Sequence, residues 1–165
     1  MQTMKLKVFS MNEQYAIQIL NWKYEPPYDF YNNECTKEAL EELLDNTYYA
    51  LVGTKNELFG FFCIGKSAQV AAGHAALAYE ENFVDMGLGM NPLFVGEGRG
   101  AEFCSFIIKF IEEKHENTPI RLTVAEFNER AIRLYEKIGF KKENAFRTDR
   151  AKFMTMVRAR GVPSN

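Results

Sequence analysis

The chain has 165 residues, 47% hydrophobic and 25% charged, with a formal net charge of −2 and a pI near 5.8. That balance belongs to a folded chain of single-domain size; it excludes a disordered tract and a protein that binds nucleic acid through a general basic field. Cys35, Cys63 and Cys104 are too scattered for a disulfide framework or a zinc site, and His74 and His115 add no HExxH spacing. This cysteine usage fits a reducing compartment. No stretch approaches the roughly 18 apolar residues that span a bilayer, and the start through Lys5 has no apolar signal-like run, so the expectation is a soluble cytoplasmic protein without a membrane partner. One domain is expected over residues 1–160, followed by a loose tail over 161–165.

In chain order, Lys5 to Phe9 reads as a first strand. Ser10 and Glu13 form a capping-box pattern that predicts a helix to about Trp22, with Ala16, Ile17, Leu20 and Tyr24 on its apolar side. Residues 25–31 are expected not to be helical, because Pro26 and Pro27 lack donors. A second helix starts near Thr36 and carries Ala39, Leu40, Leu43 and Leu44 at helical spacing. The period then changes: Tyr48 to Val52 and Leu58 to Ile64 read as a hairpin around Gly53-Thr54-Lys55-Asn56. Residues 69–79 have no clear period and read as loop. Phe83 to Met90 is a strand holding Gly87 and Gly89, which mark a bulge or a close backbone approach. A loop with Gly96, Gly98 and Gly100 leads into a long helix to about Glu116, burying Phe103, Ile107, Phe110 and Ile111. Ile120 to Ala125 is a strand, Asn128 to Ile138 a helix capped by Asn128 and closed by Gly139, and Phe140 to Phe146 and Lys152 to Val157 are closing strands. This order fits neither strict βα alternation nor an all-β chain; the class is α/β (α+β), with a mixed sheet and helices on both faces.

Two segments carry chemistry. The first, from Met90 through Val95, Gly96, Glu97, Gly98, Arg99 and Gly100 to Ala101, joins a strand to a helix, where free N–H groups and the positive end of the helix dipole attract phosphate. It lacks the Gly-Lys-Ser/Thr of a Walker A loop, and its GxGxG spacing misses the dinucleotide GxGxxG; an ordinary glycine-rich turn stays open as the alternative. In the second, Asn128, Ala131 and Tyr135 share one helix face, a small residue beside a phenol. A core tyrosine is the alternative there.

Together these segments resemble the GNAT family of acetyl-CoA-dependent N-acetyltransferases. The family's Arg/Gln-x-x-Gly-x-Gly/Ala signature after a strand ending Val-x-Pro is matched by Met90-Asn91-Pro92 and Val95 to Gly100, and its second half by Asn128, Ala131, Tyr135 and Gly139-Phe140. The likeness spans nearly the whole chain and is closer to bacterial members that acetylate ribosomal-protein N-termini. It implies a mostly antiparallel central sheet and acetyl transfer from acetyl-CoA to a primary amine of a small molecule, peptide or protein N-terminus. One departure is Val95 at the Arg/Gln position, which keeps the backbone N–H but loses the polar side chain; Arg99 or Arg130 are possible substitutes. Glu97 adds a negative charge beside the expected phosphates.

By this resemblance the cofactor is held by Leu88, Gly89, Met90, Val95, Gly96, Glu97, Gly98, Arg99, Gly100, Ala101, Asn128, Ala131 and Tyr135, largely through main chain. Asp85 is the expected base for the amine, with Glu80, Glu81 and a water chain to backbone carbonyls as alternatives; Tyr135 is the expected acid for the departing thiolate. Trp22, Tyr28, Asp29 and Tyr31, with Tyr24 and Asn32, would line the amine pocket, Asp29 or Glu25 attracting a cation. No metal or nucleic acid is implied, and the chain would act as a monomer or homodimer. An acetyl-CoA-binding sensor or interaction module without turnover is the alternative reading.

Overall fold

The computed structural model describes residues 5–160, and the expected tail at 161–165 lies outside them. Two compact units are distinguished: one contains residues 5–63 with Leu88–Arg99, the other Ile64–Gly87 with 100–160. A single seven-stranded sheet has the order β1-β2-β3-β4-β5-β7-β6.

In the first unit, β1 (Lys7–Ser10) pairs antiparallel with β2 (Tyr48–Val52), and β2 with β3 (Leu58–Ile64). The hairpin falls where the sequence puts it. The first helix, α1 (Glu13–Leu20), is not capped by Ser10. Ser10 is still in register with Tyr49, and the Met11 N–H reaches the Tyr48 carbonyl, so the chain stays extended two residues longer. Asn12 caps instead, its Oδ1 accepting from the Tyr15 N–H at 2.8 Å. The buried face is Ala16, Ile19 and Leu20, at helical spacing, while Ile17 is exposed. Thr36 caps α2 (Lys37–Leu43) as expected, accepting from the Ala39 N–H at 3.1 Å. Between these helices, Tyr28–Tyr31 forms a 3₁₀ turn, against the expectation for 25–31. The prolines precede the turn, where a missing donor costs nothing.

In the second unit, residues 69–79 are not plain loop: α3 (Ala72–Ala75) makes one helical turn. Tertiary packing fixes it. Gly73 is buried, and a Cβ there would lie 2.6 Å from Tyr79 Cε2 and 3.0 Å from Phe146 Cε1. Next come β4 (Val84–Met90), which leaves this unit after Gly87, α4 (Gly100–Lys114), β5 (Ile120–Ala125), α5 (Glu129–Lys137), β6 (Lys141–Arg147) and β7 (Lys152–Arg158). β4 and β5 run parallel, with Val84, Asp85 and Met86 opposite Ile120, Arg121 and Leu122. β7 pairs antiparallel with both β5 and β6. Phe103, Ile107 and Ile111 of α4 are buried, as are Ile120, Leu122 and Val124 of β5; Phe110 is only partly covered. Cys104 lies in this core, and burial, opposed by the Arg158 charge, pushes its thiol up to about 12.

The packing around Gly73 makes a prediction. Gly73→Ala overpacks Tyr79 against Phe146 and should cost about 1–3 kcal/mol in urea unfolding. An unchanged midpoint would show that these rings do not fix α3.

Candidate functional site

Asp85 and Arg121 occupy one register position of the parallel pair β4–β5. Both are interior residues, 4% and 1% exposed. Arg121 Nε donates to Asp85 Oδ1 at 2.7 Å and Nη2 to Oδ2 at 3.0 Å, a two-pronged pair. Gln69 Nε2 donates to the same Oδ2 at 2.8 Å. The guanidinium also lies over the rings of Tyr79 and Phe83, 5.1 and 5.3 Å from their centroids, and reaches Glu81 Oε1 at 3.4 Å. Burial opposes its charge, but the hydrogen bonds and charge of Asp85, then Glu143 and Glu81, outweigh that and raise its pKa. Asp85 therefore does not stand as an unengaged base: both carboxylate oxygens already accept hydrogen bonds from side chains. Of the alternatives, Glu80 and Glu81 are exposed at the approach to β4.

Asn128 caps α5, its Oδ1 accepting from the Ala131 N–H at 3.2 Å, so this side-chain oxygen serves the helix. Ala131 is partly exposed. Tyr135 is buried at 8% exposure and meets Phe140 edge-on, with centroids 5.9 Å apart. Just beyond α5, Arg158 Nε donates to the Ile138 carbonyl at 2.9 Å and fastens the helix end.

The glycine loop uses its three glycines for two reasons. Gly96 and Gly98 have φ of +86° and +75°, where glycine is favoured, and no atom would lie within 4 Å of a Cβ at either. The loop surface there is open, as close approach of a phosphate requires. Gly100 begins α4, and its Cβ would come 3.0 Å from Leu134 Cδ2, so it lets α4 pack on α5. Glu97 and Arg99 are exposed, Ala101 is partly so, and the Val95 N–H donates weakly to Pro92 at 3.4 Å.

In the first unit, β4 ends at a tightly fixed peptide. The Asn91 N–H donates to the Phe59 carbonyl and its Nδ2 to the Leu58 carbonyl, both at 2.9 Å. Tyr24 Oη donates to the Met90 carbonyl at 2.7 Å. The Phe61 ring covers Gly89 so closely that a Cβ would come 2.7 Å from Cζ, and Trp22 packs on Phe61 at 6.0 Å. Leu88 is half-buried in the same strand end. Of the expected amine-site residues, Trp22 joins this corner; Asp29 is exposed, and Tyr28 and Tyr31 flank it in the 3₁₀ turn. A pocket of about 150 Å³ lined by Ser10, Met11, Leu44, Asn46, Tyr48 and Tyr49 contains none of the expected site residues. Among the described residues no cluster of His, Cys, Asp or Glu is arranged to hold a metal, and no helix is long and apolar enough to cross a membrane.

Sequence reasoning missed Arg121 and Gln69. The only signal was an arginine inside the apolar run Ile120 to Ala125; its partner depends on the register of two strands joined through a long helix. Asp85→Asn strands the buried guanidinium and should lower stability by about 3–5 kcal/mol in urea unfolding. Adding Arg121→Met should recover much of that loss. A single mutant as stable as the parent would contradict a stabilising role for the pair.

The model of the acetyltransferase (GNAT) family matches residues 15–140. No curated protein matches the chain. Among solved structures, an acetyltransferase of the GNAT family from Bacillus anthracis superposes with a TM-score of 0.70 at 15% identity, covering 96% of each chain. A spermidine N-acetyltransferase chimera from Vibrio cholerae and hSSAT superposes with a TM-score of 0.67 at 19% identity, covering 93% of this chain and 95% of that one. At such identities the likeness is one of fold; the family rests on the sequence model, which spans most of the chain. The chain belongs to the GNAT family of acetyltransferases.

Proposed function

We propose that this protein transfers the acetyl group of acetyl-CoA to a primary amine. The observation that carries the reading is the open glycine loop at the start of α4, with left-handed Gly96 and Gly98, in a chain of the acetyltransferase family. Acetyl-CoA supplies an activated thioester. In this reading the N–H groups of the glycine loop and of the first turn of α4 hold its phosphates, so binding depends on backbone more than on side chains. The loss of the long polar side chain at Val95 is then tolerable. Leu88 to Met90 offer strand backbone to an extended arm.

An amine attacks only when neutral, and an alkylammonium near pKa 10.4 must lose a proton first. Asp85 enters this reading as the anchor of Arg121, and the proton leaves through water and backbone carbonyls. Tyr135 gives its phenolic proton to the departing sulfur. Asn128 and Ala131 set the first turn of its helix and leave room beside it. Binding of acetyl-CoA without turnover is the second reading, and the occupied carboxylate of Asp85 is the observation in its favour.

A spermidine N-acetyltransferase stands among the structural neighbours, so a polyamine belongs in any panel of amines, beside a peptide N-terminus of the ribosomal-protein type. Free cysteines, one exposed and two buried, suit a reducing cytoplasm.

Thiol release from acetyl-CoA with spermidine, phenethylamine and trialanine tests the reading; release with none of them favours the binding-only alternative. In an active protein, Tyr135→Phe keeps the ring and should lower kcat about 10²-fold with little change in Tm. A kcat within about twofold of the parent, where chemistry limits the rate, would remove Tyr135 from the mechanism. Gly98→Ala meets no protein atom, yet should weaken acetyl-CoA binding about tenfold by calorimetry, through a strained φ and a methyl group beside the phosphates. Parental affinity would move the phosphate site elsewhere.

A further inference from the structure

The peptide linking Met90 to Asn91 is held at both ends. Its N–H donates to Phe59 of β3, and its carbonyl accepts from Tyr24 Oη. In a trans peptide these two groups point to opposite sides. The Met90 carbonyl therefore faces away from β3, and the Tyr24 hydroxyl stands off that edge of β4. It is not there by chance of a mobile loop. The Tyr24 N–H donates to Asn32 Oδ1 at 2.7 Å, and Trp22, two residues earlier, packs against the Phe61 ring that covers Gly89.

The state of this hydroxyl restricts what it can do. A phenol has one hydrogen, and here Met90 takes it, so Oη has only lone pairs to offer a third group. Burial raises its pKa well above the usual phenol value, so it stays neutral and cannot serve as a phenolate base. A neutral oxygen restricted to accepting hydrogen bonds selects a donor, and Phe61, which covers Gly89 one residue before Met90, supplies with Trp22 apolar aromatic surface at the same strand end.

We propose that Tyr24 Oη accepts a hydrogen bond from the N–H of the amine substrate and so orients the nucleophile at the end of β4, an inference that rests on the acetyl-transfer reading. A neutral amine that donates one N–H to Oη keeps its nitrogen lone pair for the thioester carbon. The Met90 carbonyl polarises the hydroxyl and makes its oxygen a better acceptor. The substrate class is a primary amine on a chain slender enough to pass the aromatic corner.

Tyr24→Phe removes the oxygen and keeps the ring. Steady-state kinetics of the parent and this variant are compared with spermidine, phenethylamine and trialanine, together with melting temperatures. The amine KM should rise roughly tenfold, the worth of one hydrogen bond, with the acetyl-CoA KM within about twofold of the parent, while Tm should fall by a few degrees because the bond to the Met90 carbonyl is lost as well. A purely structural tyrosine would instead move both KM values together as Tm falls, and that outcome overturns the inference. An active parent whose Tyr24→Phe variant keeps the parental amine KM also overturns it and leaves acetyl transfer standing. A parent inactive toward all three amines overturns the acetyl-transfer reading itself, and the inference falls with it.

Discussion

The buried pair of Arg121 and Asp85 is the constraint around which the second unit is arranged. A guanidinium 1% exposed is tolerable only if its charge is matched and its donors are used. That requirement accounts for what surrounds it: the two-pronged carboxylate, Glu81 at the edge, and the rings of Tyr79 and Phe83. It also accounts for the segment between β3 and β4 folding down, since Gln69 bonds Asp85 and the Tyr79 hydroxyl exchanges a 2.7 Å hydrogen bond with Thr123. The pair sits in the parallel step of the sheet, and parallel neighbours demand a long crossover. Here the crossover is α4, so the chain must turn from the end of β4 into a helix N-terminus. The glycine loop lies at that turn. An ion pair in the interior thus fixes the register of the strands whose connection carries the candidate phosphate site.

At the end of β4 the same economy reappears in neutral form. Tyr24, Asn91 and Phe61 hold the Gly89–Asn91 backbone through one hydroxyl, one amide and one ring. Fixed backbone groups need no reorganisation when a ligand arrives, which suits the proposed binding of acetyl-CoA through main chain. Side-chain charge serves internal structure: Arg121 pairs with Asp85, and Arg158 with Glu112 and with the Ile138 carbonyl just beyond α5.

Local chemistry made much of this legible in the sequence. The hairpin, the caps at Thr36 and Asn128, and the glycines at 96, 98 and 139 depend on neighbours a few residues away, and those features lie where their residue types put them. Long-range pairing did not read out. Ser10 satisfies a capping box on paper, but strand pairing with Tyr49 claims it and passes the cap to Asn12. The turn at Ala72–Ala75 exists because Gly73 fits beneath Tyr79 and Phe146, the latter far along the chain. In the sequence Asp85 reads as a base because a carboxylate on that strand is chemically apt; only the register with Arg121 reveals its partner. The bond from Tyr24 to Met90 joins residues 66 positions apart and leaves no mark in the sequence.

The central claim is direct acetyl transfer to an amine, and isotope labelling tests it most directly. The protein is incubated with acetyl-CoA labelled in the acetyl group and with the three amines, and the products are followed by mass spectrometry. The account predicts label on the amine nitrogen, free CoA in equal amount, and no labelled protein. Unlabelled amines with intact acetyl-CoA, or CoA released without an acetylated amine, would contradict it.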